Sequence, residues 1–302
     1  MSQEILEYIS RRKKEINAMI MAHFYQPPEI QDVADFVGDS LELARLAAVA
    51  DADVIILCGV SFMAESAKIL NPSKTVILPE PTAGCPMADM VTGAALRDKK
   101  AQFPNAVVVS YVNTSAEVKA ESDVCCTSSN AIAVVNSIPN DQQILFVPDR
   151  NLGSYIARQT GRDMILWEGC CPIHDQVSRE QVEEQKRAHP GVPVVVHPEC
   201  PPDVTLMADA VLSTAGIIQY VGSRPEPEFI IGTEEGLLYK LQKTYPDKRF
   251  YLARSDFRCQ DMKSITLPVL ARSMETLEHQ VEVPEDIRIK ADQALQRMLA
   301  IK

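Results

Sequence analysis

AMIMAHFYQ (18–26), AVVVSYVN (106–113) and PVVVHPEC (193–200) are three short apolar runs that give way to polar, chemistry-bearing residues at the same point. Each is rich in β-branched or other apolar residues over a strand's length, the pattern of a strand covered on both faces. Further runs of this kind are DVIILCGV (53–60), TVILPE (75–80), QILFVPD (143–149) and EFIIGTE (228–234), with helical stretches such as GDSLELARLAAVA (38–50) between them. Strands that alternate with helices predict α/β units with parallel sheets.

The order of runs repeats. TVILPEPTAGC (75–85), MILWEGCC (164–171) and RFYLARSDFRC (249–259) close three successive units, each ending on cysteine. From His23 to Tyr111 is 88 residues and from Tyr111 to His197 is 86, while from Cys85 to Cys171 is 86 and from Cys171 to Cys259 is 88. Independent landmarks thus share a period near 87, too long for a solenoid repeat and right for a small domain. The expectation is three homologous α/β domains, 1–86, 87–172 and 173–302, each a parallel sheet with flanking helices. They are arranged with pseudo-threefold symmetry about a centre, and the C-terminal helix packs back on another domain.

The chain has 302 residues, 46% of them hydrophobic, enough to fill such cores, and a formal net charge of -11. An acidic surface argues against nucleic acid, whose phosphates call for clustered Lys and Arg. No stretch approaches the apolar length that spans a bilayer, and residues 1–15 carry charges without an apolar run, so neither membrane nor secretion is expected. Eight cysteines in that setting read as reduced thiols in the cytoplasm. Neither common nucleotide-cradling glycine motif is present.

Taken singly, Cys85, Cys171 and Cys259 would each pass as a small buried hydrophobe. Their matched spacing says otherwise: three like domains about one axis can bring one thiolate each to a common point. Four thiolates would close an iron–sulfur cluster, whereas three leave one iron open to act as a Lewis acid. Zinc competes, because Cys171 and His174 have C-x-x-H spacing and three thiolates plus an imidazole make a tetrahedron. Cys58, Cys125, Cys126, Cys170 and Cys200 lack counterparts in all three units and read as packing residues.

Chemistry in open parallel sheets gathers at the carboxyl ends of strands. There the sequence puts His23 and Tyr25, Tyr111 and Asn113, and His197 and Glu199, which offer imidazole, phenol and carboxylate for proton transfer. Ser40, Ser128, Ser213 and Thr214 stand before apolar helical runs, where hydroxyls and free N–H groups suit carboxylates or phosphate; a plain N-cap is the alternative. His189 and His279 read as surface residues.

HFYQPPEIQDVADFVGDSLELAR (23–45), SFMAESAKILNP (61–72), AGCPMA (83–88), YVNTSAEVKAESDVCCTSSNA (111–131), VPDRNLGSYIA (147–157), CCPIH (170–174), VVVHPEC (194–200) and LSTAG (212–216) together resemble the quinolinate synthase family. The resemblance runs over most of the chain. It implies a [4Fe-4S] cluster on Cys85, Cys171 and Cys259 with one open iron site. It also implies condensation of iminoaspartate with dihydroxyacetone phosphate to quinolinate, with loss of phosphate and water, and an aspartate-oxidising enzyme as the supplier. The carried-over substrate-binding positions are His23, Ser40, Tyr111, Asn113, Ser128, His174, His197, Glu199, Ser213 and Thr214. Glu199, Tyr25, His23 and His197 are carried over as catalytic.

The chain departs from the family at Phe24 and Cys170, where members commonly have Asn and His. Phe24 is expected to affect packing alone, and Cys170 stands as a rival ligand to Cys171. Cys259-Gln260-Asp261-Met262 lacks the second cysteine of the C-x-x-C that some members carry there, so no dithiol control is expected. A noncatalytic zinc or iron–sulfur protein and a metal-free α/β enzyme are the competing readings.

Overall fold

The computed structural model describes residues 2–301, so the outermost residue of the first and of the third sequence-derived unit lies outside it. Its elements run in chain order as α1 (Ser2–Glu15), β1 (Ala18–His23), α2 (Pro28–Val33), β2 (Phe36–Gly38), α3 (Ser40–Val49), β3 (Val54–Cys58), α4 (Ser61–Leu70) and β4 (Thr75–Ile77). Next come α5 (Gly93–Gln102), β5 (Val107–Tyr111), α6 (Ala116–Ala120), β6 (Val124–Cys126), α7 (Ala131–Ser137), β7 (Ile144–Val147), α8 (Arg150–Thr160) and β8 (Met164–Leu166). The third set is α9 (Pro172–Asp175), α10 (Arg179–Ala188), β9 (Val194–Val196), α11 (Pro202–Thr205), β10 (Ala210–Val211), α12 (Thr214–Ser223), β11 (Glu228–Gly232), α13 (Gly236–Thr244) and β12 (Arg249–Leu252), followed by α14 (Leu267–Thr276) and α15 (Glu285–Ala300).

Three four-stranded, wholly parallel sheets result, with orders β2-β1-β3-β4, β6-β5-β7-β8 and β10-β9-β11-β12. The order is the same in each: the second strand flanks the first on one side and the third and fourth follow on the other. This is the α/β fold of three like units that the repeat predicts. Helices cover both faces, so central strands are buried throughout: Ile20, Ile55, Ile56, Val109, Phe146, Val195 and Ile231 are fully inaccessible. Each such side chain stabilises the fold by about 1.5–3 kcal/mol through burial.

A second device repeats with the sheets. Asp35 Oδ2 accepts from Ile20 N (2.9 Å), Asp123 Oδ2 from Val108 N (2.8 Å) and Asp209 Oδ2 from Val194 N (2.8 Å). In return Asp35, Asp123 and Asp209 donate their own N–H to the carbonyls of Ile20, Val108 and Val194. The aspartates are 88 and 86 residues apart, on the period of the other landmarks. Each satisfies an amide near the start of a first strand and fixes the entry of the second.

Two sequence expectations need correction. The strand β2 is absent from the sequence reading of the first unit because three residues, FVG, are too short for any period to register. The three cysteines do not end strands: β4, β8 and β12 stop several residues earlier, and each cysteine sits instead where a loop enters a short helical turn. Beyond β4, Pro79 and Pro81 have no N–H with which to extend a ladder.

Beyond β12 the chain leaves the third sheet. Val281 N donates to Val76 O (2.8 Å) and Leu78 N to His279 O (3.2 Å), so residues 279–281 cover the β4 edge of the first sheet. Helix α14 packs on α1, and α15 packs on α4, α6 and β6. Arg297 caps this return with a bond to Asp123 O (2.6 Å). The C-terminal helix therefore spans the first and second units.

Candidate active site

The carboxyl ends of all three sheets open onto one cavity of about 280 Å³. His23, Tyr25 and Ser40 reach it from the first unit, Tyr111, Asn113 and Ser128 from the second, and His174, His197, Glu199 and Thr214 from the third. Cys85, Cys171 and Cys259 line it as well. Ser213 does not: it is the N-cap of α12, and its Oγ accepts from Gly216 N (3.1 Å). Ser40 opens α3, whose cap is Asp39 in a capping box with Glu42, so the cap and the cavity-facing hydroxyl are adjacent residues. Asp39 Oδ2 also accepts from Ser129, which ties the first and second units beside the cavity.

Glu199 is the best-held polar group. Tyr111 O–H donates to its Oε1 (2.6 Å), and His174 Nδ1 lies 2.8 Å from Oε2. Burial opposes its ionisation, but His174, His197 and these hydrogen bonds override that, and the carboxyl is held down at about 2. Tyr111 and Tyr25 are pushed well above the usual phenol range, first by burial and then by the Glu199 charge. Both therefore stay protonated, and Tyr111 donates to Glu199. The Tyr25 hydroxyl meets Thr233 Oγ1 at 2.6 Å, and Thr233 Oγ1 lies 2.9 Å from His174 Nε2.

The two equivalent histidines are held alike. Tyr25 N donates to His23 Nδ1 (3.1 Å) and Glu199 N donates to His197 Nδ1 (3.3 Å). A ring nitrogen that accepts leaves the proton on the other, so each Nε2 is a donor; that of His197 meets Ser128 Oγ at 3.1 Å. Burial holds both imidazoles down to about 3, helped at His23 by Lys263, so both are neutral. Phe24 is buried and outside the cavity lining, as expected for a packing residue, though it sits in a turn rather than on extended strand.

Backbone amides just downstream favour each thiolate, those of Ala88 and Met87 at Cys85, of His174 at Cys171, and of Met262 and Asp261 at Cys259. Burial nonetheless pushes all three thiols up, Cys85 to about 12. The three half-buried cysteines line one cavity with backbone amides favouring the thiolate form, an environment that suits thiolates bound to a metal centre. Cys170 points elsewhere, toward Arg150 and Asp175, and does not line the cavity, which separates it from Cys171.

Among the described residues, Cys171, His174 and Glu199 are the one set whose donor atoms all lie within 4.8 Å of one another. Ligands of one tetrahedral zinc, with Zn–S about 2.3 Å, stand closer still. The three sulfurs with His174 thus do not form the single-ion tetrahedron that spacing alone allowed.

Several participants carried no sequence signal. Thr233 joins Tyr25 to His174, and Asp149, Glu234 and Lys263 are buried beneath the cysteines. The glycine at 236 is required, since a Cβ there would come within 2.7 Å of Tyr25 Cα; the third unit packs that closely on the first. His279 is exposed as expected, whereas His189 is half-buried and stacked on Tyr251 at 3.6 Å.

Fold and site together define a class: an α/β enzyme of three like units that gathers one thiol from each around a buried acid–base cavity. The family model described as Quinolinate synthetase A protein (NadA) matches residues 7–300. A quinolinate synthase of Desulforudis audaxviator is 54% identical over 300 residues, 99% of each chain. One of Dehalococcoides mccartyi is 51% identical over 302 residues, 100% of each. Quinolinate synthase 2 of Methanosarcina acetivorans is 50% identical over 297 residues, 98% of this chain and 96% of that one. The chain belongs to the quinolinate synthase family. Among solved structures, an E-1-hydroxy-2-methyl-but-2-enyl-4-diphosphate reductase of Plasmodium falciparum aligns with a TM-score of 0.30 at 13% identity, over 86% of this chain and 81% of that one, too slight a likeness to carry an argument.

Proposed function

We propose that this enzyme condenses iminoaspartate with dihydroxyacetone phosphate to quinolinate, with loss of phosphate and water, as a step of NAD biosynthesis. Cys85, Cys171 and Cys259 hold a [4Fe-4S] cluster, and the fourth iron stays open. The observation that carries this reading is the convergence of one amide-supported thiol from each unit on a cavity that also holds an ionised, buried Glu199. When bound, the cluster supplies a Lewis acid that polarises an oxygen of the substrate.

The side chains supply the rest. Glu199, ionised and oriented by Tyr111 and His174, removes a proton from the substrate. Tyr25, kept protonated by burial, returns one to a departing oxygen. The neutral His23 and His197 donate from Nε2 and polarise carbonyl or imine groups. The N-termini of α3 and α12, with Ser40, Ser128 and Thr214, receive anionic groups against an overall charge of -11; Asn113, whose buried Oδ1 has no partner, faces the same space. Ser213 acts through the cap of α12.

No described helix is long and apolar enough to cross a membrane, and all eight cysteines are unpaired. A reducing cytoplasm, oxygen sensitivity of the cluster, and supply of the unstable imine by an aspartate-oxidising enzyme complete the proposal. One observation favours a second reading: a single zinc on Cys171, His174 and Glu199, oriented by Thr233 and Tyr111. It leaves Cys85 and Cys259 without a role. An anaerobic assay of the reconstituted protein with both substrates should yield quinolinate, and Cys171→Ala should yield none. Equal turnover by the two proteins, or by zinc-loaded protein, would end the cluster reading.

A further inference from the structure

The loops that carry the three cysteines are pinned at the same backbone point. Ser61 N donates to Ala83 O (2.9 Å), Arg150 N to Gly169 O (2.8 Å) and Glu235 N to Phe257 O (2.8 Å), each carbonyl lying two residues before a cysteine. The residues just before these donors are therefore equivalent: Val60, Asp149 and Glu234, each two residues beyond the third strand of its sheet. In two units that position is a buried carboxylate, and it grips the cysteine's own amide. Cys171 N donates to Asp149 Oδ2 (3.0 Å) and Cys259 N to Glu234 Oε1 (3.1 Å). The second oxygen of each holds the start of the next helix, through Leu152 N (2.8 Å) and Gly236 N (2.7 Å).

The first unit lacks the device, because Val60 has no acceptor. Its loop is held from outside instead: Asp261 of the third unit, two residues past Cys259, accepts from Gly84 N (3.1 Å). Lys263 extends the connection, pairing with Glu234 (2.7 Å) and donating to Tyr25 O.

We infer that Asp149 and Glu234 are positioning residues that clamp the cysteine amides and aim Cys171 and Cys259 at a common metal centre, while Asp261 does the same for the Cys85 loop in trans. This deepens the cluster reading and rests on it. The amides of Cys171 and Cys259 are spent on carboxyl groups and that of Gly84 stands in beside Cys85, so the cysteine backbone is fixed while each sulfur is left to face the cavity. The third unit thereby fixes two of the three ligands, and through Lys263 it sets Tyr25 against them.

The test is iron retention. Wild type, Asp149→Asn, Glu234→Gln and the pair Glu234→Gln with Lys263→Met, which leaves no buried lysine unpaired, are reconstituted anaerobically. Iron per chain and the decay of the sulfur-to-iron absorbance under excess chelator are followed, and the cluster-free chains are melted alongside. The expected result is about tenfold to a hundredfold faster iron release from each variant, the range for lost outer-shell partners, with an altered electron-resonance signal and cluster-free melting close to wild type. Release at the wild-type rate and an unchanged signal would overturn the clamp and leave the cluster standing. Faster release with a matching loss of cluster-free stability would also overturn it, in favour of a general folding role. A wild-type chain that takes up no iron would sink the cluster reading itself, and the clamp with it.

Discussion

At the amino ends of the sheets, Asp35, Asp123 and Asp209 each exchange two hydrogen bonds with one residue of the first strand, and the three copies superpose in kind. At the carboxyl ends the copies part. The same two positions after the first strand read His23 and Tyr25, Tyr111 and Asn113, then His197 and Glu199. The position before the cysteine-pinning amide reads Val60, Asp149 and Glu234. One end of the repeat answers only to folding, and any unit can use the same solution. The other end faces a single shared cavity, where three identical sets of groups would repel or duplicate one another; an asymmetric substrate needs an acid, a base and donors at different points.

The largest effect expected from that contrast is at Glu199. Glu199→Gln keeps the shape but loses the proposed base, so kcat should fall by about 10²–10⁴ while iron content stays at the wild-type level. Unchanged turnover with an intact cluster would remove Glu199 from the chemistry and make the carboxyl ends less specialised than described.

A smaller effect follows from the histidines. His23 and His197 are held down to about 3 in the folded chain, against about 6.5 when unfolded. Between those values the unfolded chain binds more protons, so stability is full above about pH 6.5 and is lost as pH falls below it. At pH 5.5 the contribution of the two together should be lower by roughly 2–3 kcal/mol than at pH 7.5, read from denaturant midpoints of the cluster-free chain as the difference from a His23→Asn, His197→Asn double variant, because Asp149 and Glu234, whose carboxyls burial pushes up, act in the opposite sense in both chains. Glu199 does not contribute in that window, since its stabilisation is lost only below the unfolded carboxyl value near 4.5. A difference between the two chains that stays constant from pH 7.5 to 5.5 would mean that the imidazoles are not buried as neutral donors.

The smallest effect is at the amino ends. Asp35→Ala, Asp123→Ala and Asp209→Ala each strand a strand amide and should cost about 1–2 kcal/mol, alike in all three units and without changing kcat below the melting range. A cost confined to one unit would show that the copies are not equivalent even where they look so.

The sequence made the fold legible through its period. Cysteine and histidine are rare enough that recurrence near 87 residues stands out, and strand runs buried on both faces are hard to mistake. Carboxylates are not rare: among 41 acidic residues, Asp35, Asp123 and Asp209 keep the same period unnoticed. Asp149 and Glu234 differ from each other and meet valine in the first unit, so no repeat could reveal them. Thr233 and Lys263 matter through contacts with residues distant in sequence, Thr233 with Tyr25 and His174 and Lys263 with Tyr25 and Glu234, which local sequence does not encode. Ser213 and Thr214 look alike in sequence for the converse reason, since a hydroxyl before a helix can cap it or face a cavity; Ser213 caps α12 and Thr214 lines the cavity.

The most direct test of the central claim counts metal. Anaerobically reconstituted wild type should hold about four irons per chain, and Cys85→Ala, Cys171→Ala and Cys259→Ala should each lose that centre while Cys170→Ala keeps it. One zinc per chain, or a cluster indifferent to any one of the three cysteines from the three units, would contradict the account.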